Sequence, residues 1–198
     1  DSVGTAEAVL NLVRGVPDRP AVRRQGMSVV RAVDGVTEAL LAGSSFAGGF
    51  LQWLADRHTG GEVADLLGDL PELDDPTDAA KSGSISPPQS VAKPTRSGEP
   101  SPYARPGWLL PYPSGRQCPD PDPSATVREL GDRTAPLGVR AIEALAYQAA
   151  WIAQGQAELA ADPVTDLLMI GGPLHRCPQW ARIKATLAGV PTNLVQAT

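Results

Sequence analysis

Hydrophobic positions along the chain alternate between stretches typical of strands and stretches typical of helices. Residues 27–32 and 37–41 are short apolar runs on either side of Asp34-Gly35, a dipeptide that favours a hairpin turn, and they predict two strands. Residues 46–57 instead place large apolar side chains three and four positions apart, which predicts a helix with its aromatic face in the core. A second, short helix is predicted at 62–67.

The last third of the chain follows the order helix, strand, helix. Residues 136–161 keep the helical period of about 3.6 residues over the longest stretch of the sequence. Residues 164–170 are an apolar run that predicts a strand buried on both faces, and the run ends in Gly171-Gly172. A helix is predicted at 179–187 and a last short strand at 191–195. This order is typical of an α/β fold.

Two glycine-containing segments are candidates for contact with a phosphate or a nucleotide. Gly171 and Gly172 follow the carboxyl end of a strand, where open α/β sheets bind ligands, although the same dipeptide also suits a plain tight turn. Gly4-Thr5 offers backbone N–H groups and a hydroxyl to a phosphate oxygen. The alternative, which composition favours, is that Thr5 caps a short helix beginning at Ala6.

Composition narrows the class of protein. With 198 residues, 42% of them hydrophobic, the chain can bury one sizeable core or two small ones. A net charge of −5 without a concentrated basic patch argues against nucleic acid or an anionic membrane as the main partner. No apolar run approaches the roughly 18 residues of a membrane helix. Cys118 and Cys177 fit free thiols of a cytoplasmic protein and lack metal-ligand spacing to His58 and His175, so no metal site is expected.

The composition changes at residues 71–123, which hold 13 of the 20 prolines. Residues 81–106 are rich in Ser, Pro, Thr and Gly, and burial there is too small to offset the entropy lost on ordering. We therefore expect residues 74–106 to form a long surface excursion. A proline-rich ligand for a recognition domain is the alternative, but a P-x-x-P core with basic flanks is missing. The apolar pattern resumes at 107–110.

Charged residues in the second half of the chain are interpreted as structural rather than as catalytic or metal-binding. Arg140 and Glu143 are spaced as a surface pair on the long helix. Asp120 and Asp122 alternate with prolines in a stiff loop that would hold both carboxylates in solvent rather than around a metal ion.

Four segments, taken in chain order, resemble the C-terminal half of an FGGY-type carbohydrate kinase, a member of the actin/sugar-kinase/Hsp70 superfamily. They are Ser2-Val3-Gly4-Thr5-Ala6-Glu7 (phosphate loop), Leu110 to Gly115 with Pro119 to Pro123 (strand and proline loop), Arg140 to Ala146 (long helix), and Ile170-Gly171-Gly172 to Trp180 (adenosine loop). The resemblance covers most of the chain outside 71–106. It implies an α/β fold of the actin-like ATPase, ribonuclease H-like type over residues 1–198.

The resemblance also implies a set of ATP contacts. Gly4 and Thr5 would lie against the terminal phosphates, Gly115 would line the nucleotide cleft, and Gly171 with Gly172 would pack under adenine and ribose.

Two features depart from the family pattern. Arg176 occupies a position near the adenosine where the family often has a small polar residue, and one residue is inserted before Trp180. Arg176 is nevertheless kept among the expected nucleotide contacts.

The reaction implied is phosphoryl transfer from Mg-ATP to a sugar or polyol hydroxyl, with an Asp accepting the hydroxyl proton. In the family that Asp precedes the Gly-Thr loop, and Asp1 lies too close to Gly4 for this role, so the base is expected upstream of Asp1. Sugar contacts are expected in an N-terminal domain absent from residues 1–198. This chain would then supply half a nucleotide site and have no turnover alone. Because dimers are common in the family, a homodimer is a further expectation.

The alternative function is non-enzymatic. A truncated or degenerate actin-like domain could serve as a nucleotide- or protein-binding module, with the proline-rich segment as its contact. Affinity for Mg-ADP separates a kinase half from a pure interaction module.

Overall fold

The computed structural model describes residues 1–15, 18–70, 107–131, 133–160 and 163–195, together with the backbone of one short strand at Ser84–Ile85. The strands are β1 Ser2–Val3, β2 Glu7–Val13, β3 Ser28–Arg31, β4 Glu38–Ser44, β5 Ser84–Ile85, β6 Gly107–Leu110, β7 Arg128–Gly131, β8 Leu167–Met169 and β9 Thr192–Leu194. The helices are α1 Arg19–Arg24, α2 Gly48–His58, α3 Val63–Leu67, α4 Leu137–Ala160, α5 Gly172–Arg176 and α6 Pro178–Ala188. The surface excursion predicted at 74–106 lies almost entirely outside the described residues and stays a prediction.

A mixed sheet runs through the molecule. Strands β1, β2, β4 and β3 are antiparallel neighbours in that order, and β8 pairs with β9 in parallel. The two groups are joined where the N–H of Val3 donates to the oxygen of Ile170 and the N–H of Ile170 donates to the oxygen of Asp1, both at 2.9 Å. The resulting order is β3-β4-β2-β1-β8-β9-β5, and β6 and β7 form a separate hairpin. Strand β1 therefore lies at the centre, between the antiparallel strand β2 and the parallel strand β8.

The long helix α4 packs against β2, β4 and β6 and against α6. Its apolar face carries Ile142, Leu145 and Ile152, none of which is exposed to solvent. One polar residue on this face, Gln156, is also buried, and its Nε2 donates to the oxygens of Val9 at 2.9 Å and Leu40 at 3.0 Å. These bonds satisfy the buried NH₂ group of Gln156 and fix the helix in register over β2 and β4.

Most predicted elements are confirmed within a few residues. The β3–β4 hairpin turns at Asp34-Gly35, where the Asp34 Oδ1 accepts hydrogen bonds from the N–H groups of Val36 and Thr37 at 2.9 Å. The helices predicted at 46–57, 62–67, 136–161 and 179–187 correspond to α2, α3, α4 and α6. The aromatic face of α2 belongs to the core as expected, with Phe50 fully buried.

The helix predicted to begin after Thr5 is wrong. Residues Glu7–Val13 form β2 and pair with β4 over its whole length, from Glu7 opposite Ser44 to Val13 opposite Glu38. Small residues around a threonine suit a helix cap locally, but the pairing with β4 overrides that preference.

Two further predictions need correction. The strand predicted at 164–170 is only Leu167–Met169, and it is buried on one face rather than two, since Met169 has no exposed surface whereas Leu168 is 54% exposed. Arg140 is not on the surface, because its side chain is 7% exposed and its Nη1 lies 2.8 Å from Oε2 of Glu129 on β7.

Candidate functional site

The loop between β1 and β2 is held against the N-terminus of α2. The N–H of Gly4 donates to the oxygen of Ala6 at 2.8 Å, which closes a tight turn. The N–H of Gly48 donates to the oxygen of Gly4 at 2.8 Å, and the N–H of Gly49 donates to the oxygen of Thr5 at 2.9 Å. A Cβ at Gly48 would lie 2.7 Å from the Gly4 oxygen, so glycine is required there for the approach. Thr5 remains exposed, which leaves its hydroxyl accessible to a ligand.

The turn after β8 depends on glycine for a different reason. Gly171 has φ 134°, and a Cβ there would lie 1.9 Å from the oxygen of Val3 on β1. Only glycine allows the two backbones to come so close. Gly172 begins α5, and the guanidinium of the exposed Arg176 folds back over it, with one nitrogen 3.7 Å from where a Gly172 Cβ would be.

The two glycine segments lie side by side because β1 and β8 are parallel neighbours. Ser2 bridges Ile170 in parallel, so both strands end at the same edge of the sheet. This edge is where open α/β sheets bind their ligands. The residues gathered there are Gly4, Thr5, Gly171, Gly172 and Arg176. A site made of exposed backbone, a hydroxyl and a guanidinium suits an anion such as a phosphate.

Gly115 occupies a turn that is shaped by its own loop. It has φ 86°, and a Cβ there would meet Pro123 at 3.1 Å and the oxygen of Asp122 at 3.2 Å. The loop is closed by Arg116 and Asp122, whose backbones exchange hydrogen bonds of 2.8 and 2.9 Å. Within the described residues, the contacts of Gly115 are thus to its own loop rather than to either glycine segment.

That loop is fixed to the fold through a buried amide. The hydroxyl of Tyr112 donates to Oε1 of Gln148 at 2.6 Å, and Nε2 of Gln148 donates to the oxygen of Cys118 at 2.6 Å. The thiol of Cys118 donates to the oxygen of Gly43 at 3.0 Å, near the end of β4. These hydrogen bonds attach the loop that contains Gly115 beside the end of β4.

A buried ionic cluster lies under the Gly-Thr loop, and the sequence analysis missed it. Nζ of Lys184 on α6 lies 2.7 Å from Oδ2 of Asp1 and also contacts Oε1 of Glu7. The side chains of Lys184, Asp1 and Glu7 are 1%, 3% and 0% exposed. The available signal was the helical spacing between Trp180 and Lys184, which places the lysine on the buried face of α6.

Neither cysteine has the environment of a nucleophile. Both thiols are free, and burial raises the pKa of Cys118 and of Cys177. Because the thiolate is the reactive form, these side chains serve packing.

The part of the chain that the structure describes contains no group of three or more His, Cys, Asp or Glu side chains able to hold a metal ion. Among the same residues, none of the helices combines the length and apolarity needed to cross a bilayer.

Solved structures share this fold at low sequence identity. A "xyloylose kinase" from Brucella ovis matches 100% of this chain and 35% of its own length, at 18% identity and a TM-score of 0.74. A ligand-bound xylulose kinase from Lactobacillus acidophilus matches 99% and 34%, at 17% identity and a TM-score of 0.66. Plasmodium falciparum glycerol kinase, solved with ADP, matches 99% and 34%, at 14% identity and a TM-score of 0.64. The chain spans about a third of the length of each.

No curated protein matches the sequence. The family model for the C-terminal domain of the FGGY carbohydrate kinases matches residues 26–198. That range includes Gly115, Gly171, Gly172 and Arg176, while the Gly-Thr loop precedes it. The expected actin-like ATPase fold is confirmed. This chain belongs to the FGGY family of carbohydrate kinases, in which it corresponds to the C-terminal domain.

Proposed function

We propose that this chain supplies the ATP-binding half of a kinase that phosphorylates a hydroxyl of a sugar or polyol. The observation that carries the proposal is the adjacency of the Gly-Thr loop and the Gly-Gly turn at one sheet edge, with Arg176 folded over Gly172. Family membership gives the reaction class, and the geometry offers the groups that a nucleotide needs.

Each group has a defined part in the proposal. Gly4 and Thr5 contact the terminal phosphates, with the Thr5 hydroxyl donating to a phosphate oxygen. Gly171 and Gly172 let adenine and ribose approach the backbone, and Arg176 contributes positive charge beside them. Gly115 borders the cleft from the side of β4.

In this proposal Mg²⁺ binds only together with the nucleotide. The described residues contain no cluster of carboxylates and imidazoles that would hold the ion by themselves. Mg²⁺ commonly keeps several waters and binds through substrate phosphates with one or two carboxylates, which is compatible with a donor-poor half-site. When bound, the ion would neutralise phosphate charge.

The catalytic base and the sugar contacts belong to the remainder of a longer kinase in this proposal. The carboxylate of Asp1 is buried and paired with Lys184, so it is unsuited to accept a substrate proton. The isolated chain should therefore bind nucleotide without transferring phosphate. Free buried thiols support a cytoplasmic location, and a homodimer stays a prediction for a sizing measurement.

Nucleotide binding is the first test. Titration calorimetry of the 198-residue chain with Mg-ADP should give saturable binding. Gly172→Arg should abolish it by filling the space over the turn, and Arg176→Ala should weaken it about tenfold. Arg57→Ala is the matched control, because Arg57 lies over the ring of Trp53 at 3.7 Å and touches neither loop. The proposal is wrong if the chain binds no Mg-ADP, or if Gly172→Arg binds as well as the original sequence.

The same titration and a turnover assay distinguish a kinase half from the competing function, a non-catalytic interaction module. A pure protein-binding module need not bind Mg-ADP. A kinase half should support sugar phosphorylation as part of the longer protein. The isolated chain should phosphorylate sugars no faster than its Gly172→Arg variant.

A further inference from the structure

Lys184 connects the two arms of the Gly-Thr loop. Asp1 precedes β1, Glu7 is the first residue of β2, and the loop lies between them. The Lys184 ammonium contacts a carboxylate oxygen of each, Oδ2 of Asp1 at 2.7 Å and Oε1 of Glu7. Both arms are thereby linked to α6, which follows the Gly-Gly turn.

The cluster is an unfavourable way to gain stability. Among the side chains it holds two carboxylates against one ammonium, and Oδ1 of Asp1 and Oε2 of Glu7 are buried without a hydrogen-bond partner in the described part of the structure. Desolvation of buried charges can exceed their mutual attraction, and apolar side chains of similar volume often stabilise a core better. Stability alone therefore does not explain these residues, whereas a requirement for fixed geometry does.

That geometry concerns the candidate site directly. A displacement of Asp1 or Glu7 would move the strands that deliver Gly4 and Thr5. The same ammonium is carried by α6, so a displacement would also change how the Gly-Thr loop sits beside Gly171.

We propose that Lys184 is a positioning residue that fixes the Gly-Thr loop relative to the Gly-Gly turn for nucleotide binding. The inference rests on the proposed function, since it concerns the same site. It adds a residue that does not touch the nucleotide and acts through Asp1 and Glu7.

The test compares Lys184→Met with two matched variants. Lys184→Met should weaken Mg-ADP binding by at least about tenfold in titration calorimetry, below the melting transition of the variant. Lys184→Arg should retain affinity within about threefold, because a guanidinium can reach both carboxylates and Lys184 borders a cavity of about 420 Å³ that gives room. Arg140→Met removes another buried cation, paired with Glu129 at 2.8 Å, and should leave affinity unchanged.

A second variant covers the case in which Lys184→Met does not fold. The triple variant Asp1→Asn, Glu7→Gln, Lys184→Met removes all three side-chain charges together, so none of the three is left buried without its partners. Hydrogen exchange is then read at the amides of Gly48 and Gly49, which donate to Gly4 and Thr5. Both amides should exchange about tenfold faster than in the original chain, and Arg140→Met should leave them unchanged.

The outcomes separate the two proposals. If the original chain binds Mg-ADP, unchanged affinity in Lys184→Met and unchanged exchange in the triple variant overturn the role of Lys184 and leave the nucleotide site standing. If the original chain binds no Mg-ADP, the proposed function fails, and the exchange rates alone decide whether Lys184 holds the loop. A uniform rise in exchange across β4 would also overturn the inference, because it would indicate general destabilisation.

Discussion

Two glycine turns, at Gly171 and at Gly115, were expected at the nucleotide site, and they differ in what shapes them. Gly171 is constrained by a neighbouring strand, since a Cβ there would lie 1.9 Å from the oxygen of Val3. Gly115 is constrained by its own loop, where the nearest atoms to a Cβ belong to Pro123 at 3.1 Å. The first turn is therefore part of the sheet, and the second is a local feature attached to it. Substitutions should have very different effects at the two positions.

The largest effect is expected at the sheet. Gly171→Ala combines a positive φ with a backbone clash that no rotamer change can relieve, so we expect the free energy of unfolding to fall by about 4 kcal/mol or more. Urea denaturation measures it. The neighbouring Gly172→Ala is the control: the atom nearest to its Cβ would be 3.7 Å away, at the end of the Arg176 side chain, so the free energy of unfolding should stay within about 1 kcal/mol of the original value. Similar losses in both variants would show that the close approach to the Val3 oxygen is not what constrains Gly171.

An intermediate effect is expected at the loop. Gly115→Ala places an L side chain at φ 86° with close contacts that the loop can relieve by a small shift, so we expect a loss of about 1–2 kcal/mol. Gly35→Ala isolates the conformational part, because Gly35 has φ 71° and open space around its Cβ position. The difference between the two denaturation curves then reports the contact with Pro123. A loss at Gly115 as large as at Gly171 would show that the loop is as rigid as the sheet.

The smallest effect is expected at the carboxyl of Asp122, which lies beside Gly115. Hydrogen bonds from the hydroxyl and N–H of Ser124 hold the pKa of the Asp122 carboxyl below its ordinary value. A lowered folded pKa means that this stabilisation is present above the ordinary pKa and is lost as pH falls through the folded value. Ser124→Ala should raise the pKa of Asp122 and flatten the acid side of the stability profile. NMR titration of Asp122 measures the shift, and an unchanged pKa would contradict the assigned cause.

The sequence predicted the elements whose signals are local. The Asp34-Gly35 turn and the 3.6-residue period of α4 both depend on residues that are close together in sequence, and both predictions are confirmed. Strand β2 was missed because Thr5 and the residues after it suit a helix cap, and only the partner strand β4 decides the matter. Family resemblance predicted the fold correctly, and the roles of the glycines stay predictions.

The candidate site was harder to foresee where it depends on distant residues. Gly48 lies inside a predicted helix, and its need for glycine comes from the oxygen of Gly4, far away in sequence. Lys184 acquires its importance from Asp1 and Glu7, at the opposite end of the chain. Neither relationship has a local pattern, since each arises only when β1 is inserted between β2 and β8.

The central place of β1 has a consequence for biosynthesis. Its partner on one side, β2, leaves the ribosome directly after it, whereas its partner on the other side is the segment around Ile170, made near the end of this chain. Until then one side of β1 is an unpaired edge, open to incorrect pairing with other nascent chains. The two glycine segments can meet only once that edge is closed, so the candidate site is among the last features of the domain to form.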